Sequence, residues 1–400
     1  MATARIKAQV KPELLVWARE SAGYTPEEAA KKLNVSTGRL LAWESGEDPP
    51  TLTQLRNMTR VYRRPLSVFY LQQVPTTFMA MHDFRRLPGD GQRRTSPGLT
   101  LEVRAAQQRR ELALELLEEL DETAQPFSLQ ASLDDDPDRI GKQIRQALGI
   151  THDEQRQWRE ARIAFNHWRM RIEALDVLVF QMTRVDAEEV SGFAIAEPHL
   201  PVIAVNHKNT FNRRTFSLLH EFAHLMLRLS GVSDLEVDAD RPPEDQRIEV
   251  FCNRVAAAAL MPREDILAEP TVRAHPQRRP EWDDEDISEL AGAYSVSREA
   301  FLRRLLTFGL TTQTFYRTKR SEYNEAFAVQ QERQRERLKN QEFRRNPPVE
   351  AISTIGKPFV RLVLDNYYQD RITLSDVSAY LGVRVKHFAK IEQAVGNGAA

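Results

Sequence analysis

Two histidines four residues apart, His220 and His224, enclose a glutamate at position 221 in the run NRRTFSLLHEFAHLMLRLS, residues 212–230. On a helix this spacing places the imidazoles one above the other on a single face, where both can point at one ion. Glu221 then sits about 100° around the axis, too far to share that ion but within reach of a water beside it. That is the geometric reason the H-E-x-x-H order suits metal-assisted hydrolysis. Phe216, Leu219, Ala223 and Met226 make one apolar stripe of the helix, and Leu218, Phe222, Leu225 and Leu229 another. Between them runs a polar stripe of Arg213, Ser217, His220, Glu221, His224 and Arg228. A helix buried on two sides that reserves its third for histidines and a glutamate has a use for them.

Two histidines leave such a site short of a protein ligand. The run DQRIEVFCNRVAAAALMP reads as a helix stopped at Pro262, with Glu249 and Asn253 four apart on one face. Glu249 is the best candidate for the third ligand, and an amide one turn later suits a hydrogen bond to a metal-bound histidine. Asp245 and Glu244 are rivals, more simply read as acidic residues complementing the helix N-terminus. Two histidines and one carboxylate favour Zn2+, with Mn2+ the alternative.

The elements needed to position these groups are legible nearby. A helix is predicted over 154–174, carrying Trp158, Phe165, Trp168 and Ile172. Three short β-branched runs, 175–182, 190–197 and 201–206, are the only convincing strands. An extended peptide substrate would lie along an exposed strand edge, with 190–197 and 201–206 as candidates. An oxyanion stabiliser is required, and His207, Arg213 and Arg214 are the nearest candidates in sequence. The acidic run GVSDLEVDADRPPEDQR between the two ligand helices reads as a solvated connection, with a substrate-selecting lid the alternative.

Residues 11–72 form a second pattern, of short helices divided by turns. One opens with Thr25 as N-cap, Pro26 at N1 and Glu28 at N3, a capping box, and its partner starts at Ser36 after a three-residue break. Two capped helices joined in this way predict a helix-turn-helix. From Pro12 to Leu71, with EEAAKKLNVS, LLAWESGEDPPTLTQL and RRPLSVFYL, the chain resembles the Xre-type helix-turn-helix fused to metallopeptidases. The resemblance makes Ser36 to about Ser45 the recognition helix, with Ser36, Thr37 and Arg39 toward base edges. Residues 1–74 hold 11 Lys and Arg against 7 Asp and Glu, a modest excess for phosphate binding. Glu44, Glu47 and Asp48 weaken it further, so docking of a protein partner stays open beside double-stranded DNA.

The stretch Ser191–Pro262, with SGFAIA, PVIAVN, RRTFSLLHEFAHLML and IEVFCNRVAAAALMP, resembles the ImmA/IrrE family of zinc-dependent endopeptidases. The family's E-x-x-x-N element falls on Glu249 and Asn253. Cys252 stands where alanine is usual and Val255 where phenylalanine is common, which raises the question of redox sensitivity near the metal. The resemblance implies proteolysis of a transcriptional repressor in a stress or mobile-element response. His220, His224 and Glu249 would hold the ion, and Glu221 would act as general base.

Composition bounds these readings. Hydrophobic residues make up 41% and charged residues 28% of 400, and no apolar run reaches the ~20 residues of a membrane span. A single cysteine excludes disulfide scaffolds and cysteine-built zinc fingers, and without an apolar N-terminal stretch the expected setting is the cytoplasm. With 56 basic against 57 acidic residues, nucleic-acid contact must come from a local patch. The expected fold is α+β and mostly helical. A five-helix helix-turn-helix domain occupies 1–75 and a helical connection 76–150. A zincin-like peptidase with a small sheet and a helical extension follows over 151–318, then a charged helix and helix-turn-helix-like segment over 319–400. The segments 287–305 and 374–392 echo 27–44, and packing against the catalytic domain explains such pairs better than groove insertion. The leading function is a zinc endopeptidase acting on a regulatory protein. The alternative is a DNA-binding regulator or antitoxin-like repressor whose peptidase fold senses without cutting.

Overall fold

The computed structural model describes residues 7–75, 82–84, 95–234, 241–275, 280–339 and 346–396. Most of the arginine-bearing loop after Phe84, and the acidic stretch 235–240, lie outside them. The chain divides into two compact units, one of Met1–Met81 with Gln92–Gln108, the other of His82–Gly91 with Arg109–Ala400. Residues 76–150, read from sequence as one helical connection, are thus shared between the units.

The first unit contains α1 (Pro12–Glu20), α2 (Pro26–Leu33), α3 (Thr37–Ser45), α4 (Leu52–Tyr62) and a 3-10 turn over Leu66–Tyr70. Both halves of the Thr25/Glu28 capping box form, and α2 ends on Asn34 in the left-handed region, which turns the chain into α3 within three residues. Leu40 and Trp43 of α3 share one buried core with Leu55, Met58, Tyr62 and Phe69. The remaining helix, α5 (Pro97–Glu119), begins in this unit, where Arg104 donates to the carbonyls of Tyr62 and Arg63.

The second unit holds α6 (Pro137–Leu148), α7 (His152–Gln157), α8 (Ala161–Glu173), α9 (Phe211–Met226), α10 (Pro243–Leu260), α11 (Arg263–Ala268), α12 (Pro270–Ala274), α13 (Asp284–Ala293) and α14 (Arg298–Thr307). After these come α15 (Gln313–Lys339), α16 (Pro347–Ile355), α17 (Lys357–Tyr368), α18 (Leu374–Leu381) and α19 (Phe388–Gly396). The helix predicted over 154–174 is broken at Trp158, whose carbonyl accepts from Ser295 Oγ and whose ring stacks on His167. Tertiary contacts override a continuous helical pattern there.

Among the described residues the sheet has five strands, two more than are legible in the sequence. They are β1 (His82–Asp83), β2 (Leu178–Met182), β3 (Gly192–Ile195), β4 (Val202–Asn206) and β5 (Gly231–Ser233), in the order β1-β5-β3-β4-β2. β3 runs antiparallel to both β4 and β5, while β2 is parallel to β4 and β1 to β5. β3 and β4 are therefore interior, with both edges already hydrogen-bonded. Neither 190–197 nor 201–206 can accept a substrate strand, which corrects that expectation. The outer side of β2 is also engaged, because Arg169 donates to the Val179 carbonyl and Gln181 to the carbonyl and hydroxyl of Ser353 on α16. The run 231–247 begins as a buried strand, not a solvated connection, and beyond β5 Asp234 pairs with Arg241 in the interior.

Two devices fix α10, the carrier of Glu249. Its final carbonyls, which no helical N–H can satisfy, are taken by side chains: Arg145 and Gln155 bond those of Ala259 and Leu260, and Arg304 that of Met261. The second device is close approach to α6, where a Cβ on Gly141 would lie 2.6 Å from Ala258 Cβ and 2.7 Å from the backbone of residues 258 and 259. The pairs α13/α14 and α18/α19 repeat the capped-helix and left-handed-turn pattern of α2/α3, with Ser295 and Gly382 in the turns. Ile287, Leu290, Phe301, Leu302 and Leu305 of the first pair belong to the main core. Gly141→Ala forces backbone apart, and we expect it to lower stability by about 1–3 kcal/mol. The check is a fall in the thermal midpoint of the second unit.

Candidate metal centre

α9 starts at Thr210, whose side chain accepts from the Arg213 N–H. From Ser217 onward nearly every residue is buried, including the stripe that the sequence suggests is polar. His220, Glu221 and His224 face α10 and the strands, and with Glu249 all four are 0% exposed. His220 Nε2 and His224 Nε2 lie 3.1 Å apart, and Glu249 reaches them with Oε2 at 3.4 Å and Oε1 at 3.2 Å. These three residues form the one cluster among the described residues with metal-ligand geometry. Glu244 is not part of it, and Asp245 instead bonds His82 Nε2 at 3.0 Å.

The donor set fits a cation on chemical grounds. Asn253 Oδ1 lies 3.0 Å from His220 Nδ1 and must accept from it, so that nitrogen carries the ring proton. The lone pair of a neutral His220 is thereby directed through Nε2 into the cluster, as a ligand requires. The His220 lone pair and the Glu249 carboxylate then converge beside His224 Nε2, a donor set that a cation would bridge. The carboxylate oxygens of Glu221 and Glu249 are buried with no hydrogen bond of good geometry, at a cost of about 1–3 kcal/mol for such a group. A divalent ion binding with ~10 kcal/mol would offset a debt of that size.

Glu221 is held against β3. A Cβ on Gly192 would lie 2.6 Å from Glu221 Oε1 and 2.9 Å from its Cγ, so only glycine leaves room for the carboxyl. Burial, reinforced by the charge of Glu249, raises the Glu221 pKa well above 4.5, and the Ser233 hydroxyl opposes the rise. Burial lowers the His224 pKa and keeps its ring neutral. Burial also acts upward on Glu249, but the two imidazoles beside it reverse the sign and favour its ionised form. Ser233 on β5 was not singled out from sequence, yet its Oγ lies 3.2 Å from His224 Nε2. Its only sequence signal is a hydroxyl in a three-residue strand. Cys252 is buried, and burial pushes its thiol well up, so it stays a thiol with no route to oxidants.

The other candidates lie elsewhere. Arg213 and Arg214 precede His220 by about two turns, roughly 10 Å along the helix. Arg213 donates to Ser191 Oγ, and Arg214 to Gln181 and to the carbonyls of Asn209 and His207. In the first unit Ser36 is exposed and its hydroxyl caps α3 by accepting from the Arg39 N–H, while the Arg39 side chain is exposed and Thr37 half-buried. Glu44 does not confront an approaching phosphate, because it is buried in an ion pair with Arg19 at 2.8 Å.

Asn253→Ala should weaken metal binding about 10- to 100-fold by freeing the His220 ring, measurable by competition with a chromophoric chelator. A second test uses metal-stripped protein. The unfolded chain loses the Glu221 proton near pH 4.5, whereas the folded chain keeps it to higher pH. The stability due to the protonated carboxyl is complete below the lower value and drains away as pH rises through the folded one. Glu221→Gln does not titrate, so its thermal midpoint should exceed that of the unsubstituted chain by a margin that widens from about pH 5 to pH 8.

Residues 172–306 match the IrrE N-terminal-like domain of the peptidase M78 family, and residues 15–69 match the helix-turn-helix family. No curated protein matches the chain. The first match begins on α8 and ends on α14, taking in β2 to β5 and all of α9 and α10; the second begins within α1 and takes in all of α2 to α4. The chain thus joins a region that matches the IrrE N-terminal-like metallopeptidase domain to an N-terminal region that matches the helix-turn-helix family.

Proposed function

We propose that the chain is a zinc-dependent endopeptidase that cleaves a regulatory protein, with a transcriptional repressor as the substrate class. The observation that carries this is the convergence of His220 Nε2, His224 Nε2 and the Glu249 carboxylate, with the His220 tautomer set by Asn253. Zn2+ suits two imidazoles and a carboxylate better than Mn2+. When bound, the ion would polarise the scissile carbonyl and the attacking water. Glu221 would take the proton of that water and return it to the leaving amine. Gly192 and Ser233 keep its carboxyl in place.

The helix-turn-helix serves in this reading to bring the peptidase to DNA or to its partner, through the exposed start of α3 at Ser36, Thr37 and Arg39. Internal neutralisation of Glu44 by Arg19 supports a DNA-facing α3. We assign targeting to residues 1–75 and cutting to the second unit, which adds residues 82–84 and α6 to the 151–318 segment, in a cytoplasmic setting. One observation favours the alternative of a non-cleaving sensor: the four central residues are sealed from solvent, so cutting requires an opening.

Glu221→Gln separates the two. It should retain metal within a few-fold and lose at least about 1,000-fold of cleavage. The assay compares new protein N-termini in cells producing either form. If the two forms yield the same termini and the same regulatory phenotype, the peptidase reading fails and the sensor reading takes its place.

A further inference from the structure

A helix, a left-handed turn and a second helix recur three times among the described residues, and the copies differ in what the second helix presents to solvent. α2 and α18 are alike in detail. Each opens on a threonine with both halves of a capping box formed, Thr25/Glu28 and Thr373/Asp376, and each ends on a left-handed residue, Asn34 at φ 58° or Gly382 at φ 65°. Val35 or Val383 follows, and the next helical turn starts after Ser36 or Arg384. We propose that the copy at the carboxy-terminal end binds double-stranded DNA, with Arg384, Lys386 and Lys390 on phosphates and Val385 against base edges. This surface is independent of the metal centre and of the peptidase reading.

The three second helices are committed differently. α14 is taken up by the fold, since Phe301, Leu302 and Leu305 lie in the main core, Arg304 is bonded to the Met261 carbonyl and Arg303 to Glu299. α3 offers one exposed cation at its start, Arg39, and the Ser36 hydroxyl is occupied by capping. By contrast, among the described residues no side chain of α18 or α19 belongs to the main core. α18 packs on α17, and α19 on α16 and α17. That seat is firm, because Phe359 of α17 meets Phe180 of β2 edge-on at 6.3 Å and Asn366 donates to the Leu116 carbonyl at 3.0 Å. Val377, Leu381, Ile391 and Val395 are buried, while Val385, Lys386, Ala389 and Lys390 make an exposed stripe.

The stripe has the chemistry of a DNA contact. Arg384 makes no capping hydrogen bond, and among the described residues no ion pair or side-chain hydrogen bond holds Arg384, Lys386 or Lys390. Residues 382–391 contain these three cations and no acid. The acid that follows, Glu392, accepts from the Tyr368 hydroxyl of α17, much as Glu44 of α3 pairs with Arg19 of α1. Val385, 49% exposed between two cations, suits apolar contact with a thymine methyl. The major groove of B-DNA admits a helix whose first residues meet base edges, whereas that of A-form RNA is too narrow. A protein-docking face would be poorer in lysine at its centre.

The test uses the full-length protein and a mixed-sequence DNA duplex of about 30 base pairs, titrated across a salt series. Replacing Arg384, Lys386 and Lys390 together by glutamine should weaken binding at least about ten-fold at low salt and reduce the slope of log affinity against log salt by about two to three. All three side chains are exposed, so the thermal midpoint should hold. The charge-preserving combination Arg384→Lys, Lys386→Arg, Lys390→Arg should keep the slope. Ala389→Lys, which adds a cation to the stripe at a helical position that tolerates it, should steepen the slope by about one and tighten binding. If the triple glutamine variant were to lose its fold, the Ala389→Lys result decides. Unchanged affinity and slope in the triple variant overturn the proposal, whether the duplex is held by α3 alone or not held at all. A larger loss on an RNA hairpin of the same length than on the duplex also overturns it, since RNA would then be the partner. Glu221→Gln should bind the duplex like the unsubstituted chain, so failure here leaves the peptidase reading standing, and failure of that reading leaves this surface standing.

Discussion

Two imidazole nitrogens and a carboxylate crowded within 3.1–3.4 Å of one another, with no solvent exposure, are a costly arrangement unless a cation joins them. The second unit is organised around forcing that convergence. Asn253 removes the alternative of turning the His220 proton inward, and α9 and α10 supply rigid mounts one turn apart for each pair of groups. The arrangement stores unfavourable electrostatics that a divalent cation converts into binding.

Precision in the mounts comes from outside the motif. α10 is seated by carbonyl capping from Arg145, Gln155 and Arg304, and by the glycine of α6 against its alanines. α9 is seated by the strands on one side and α8 on the other. Glu221 is aimed by the missing side chain at Gly192 and by the hydroxyl of Ser233. Two helices carry the chemistry, and their neighbours determine whether the atoms meet.

What was legible in sequence is what depends on local periodicity. The i, i+4 spacing of His220 and His224 and of Glu249 and Asn253, the Thr25 capping box, and the three longer strands all follow from residues close together in the chain. Strands of two and three residues, at 82–83 and 231–233, have too little pattern to read and exist because distant segments pair. The His82–Asp245 bond joins residues far apart in sequence, and nothing in HDFRR marks the histidine. In sequence the Glu44 carboxylate reads as a surface charge, because its partner Arg19 is on another helix. Trp158 breaks a helix that its own neighbourhood would continue, since Ser295 claims its carbonyl.

The second unit borrows residues 82–84 from a point in the chain before α5 has begun. A catalytic fragment excised at residue 109, at 151, or at the start of the 172–306 match would leave β5 with a raw edge and His224 without its stacked ring. It would also shed Gly141 and Arg145 if cut after α6. Such a fragment would carry every residue of the metal motif and still be a different molecule, with a sticky strand and an exposed imidazole where the intact chain has neither. Engineering of a minimal peptidase from this chain has to begin upstream of His82 and keep the helix that follows.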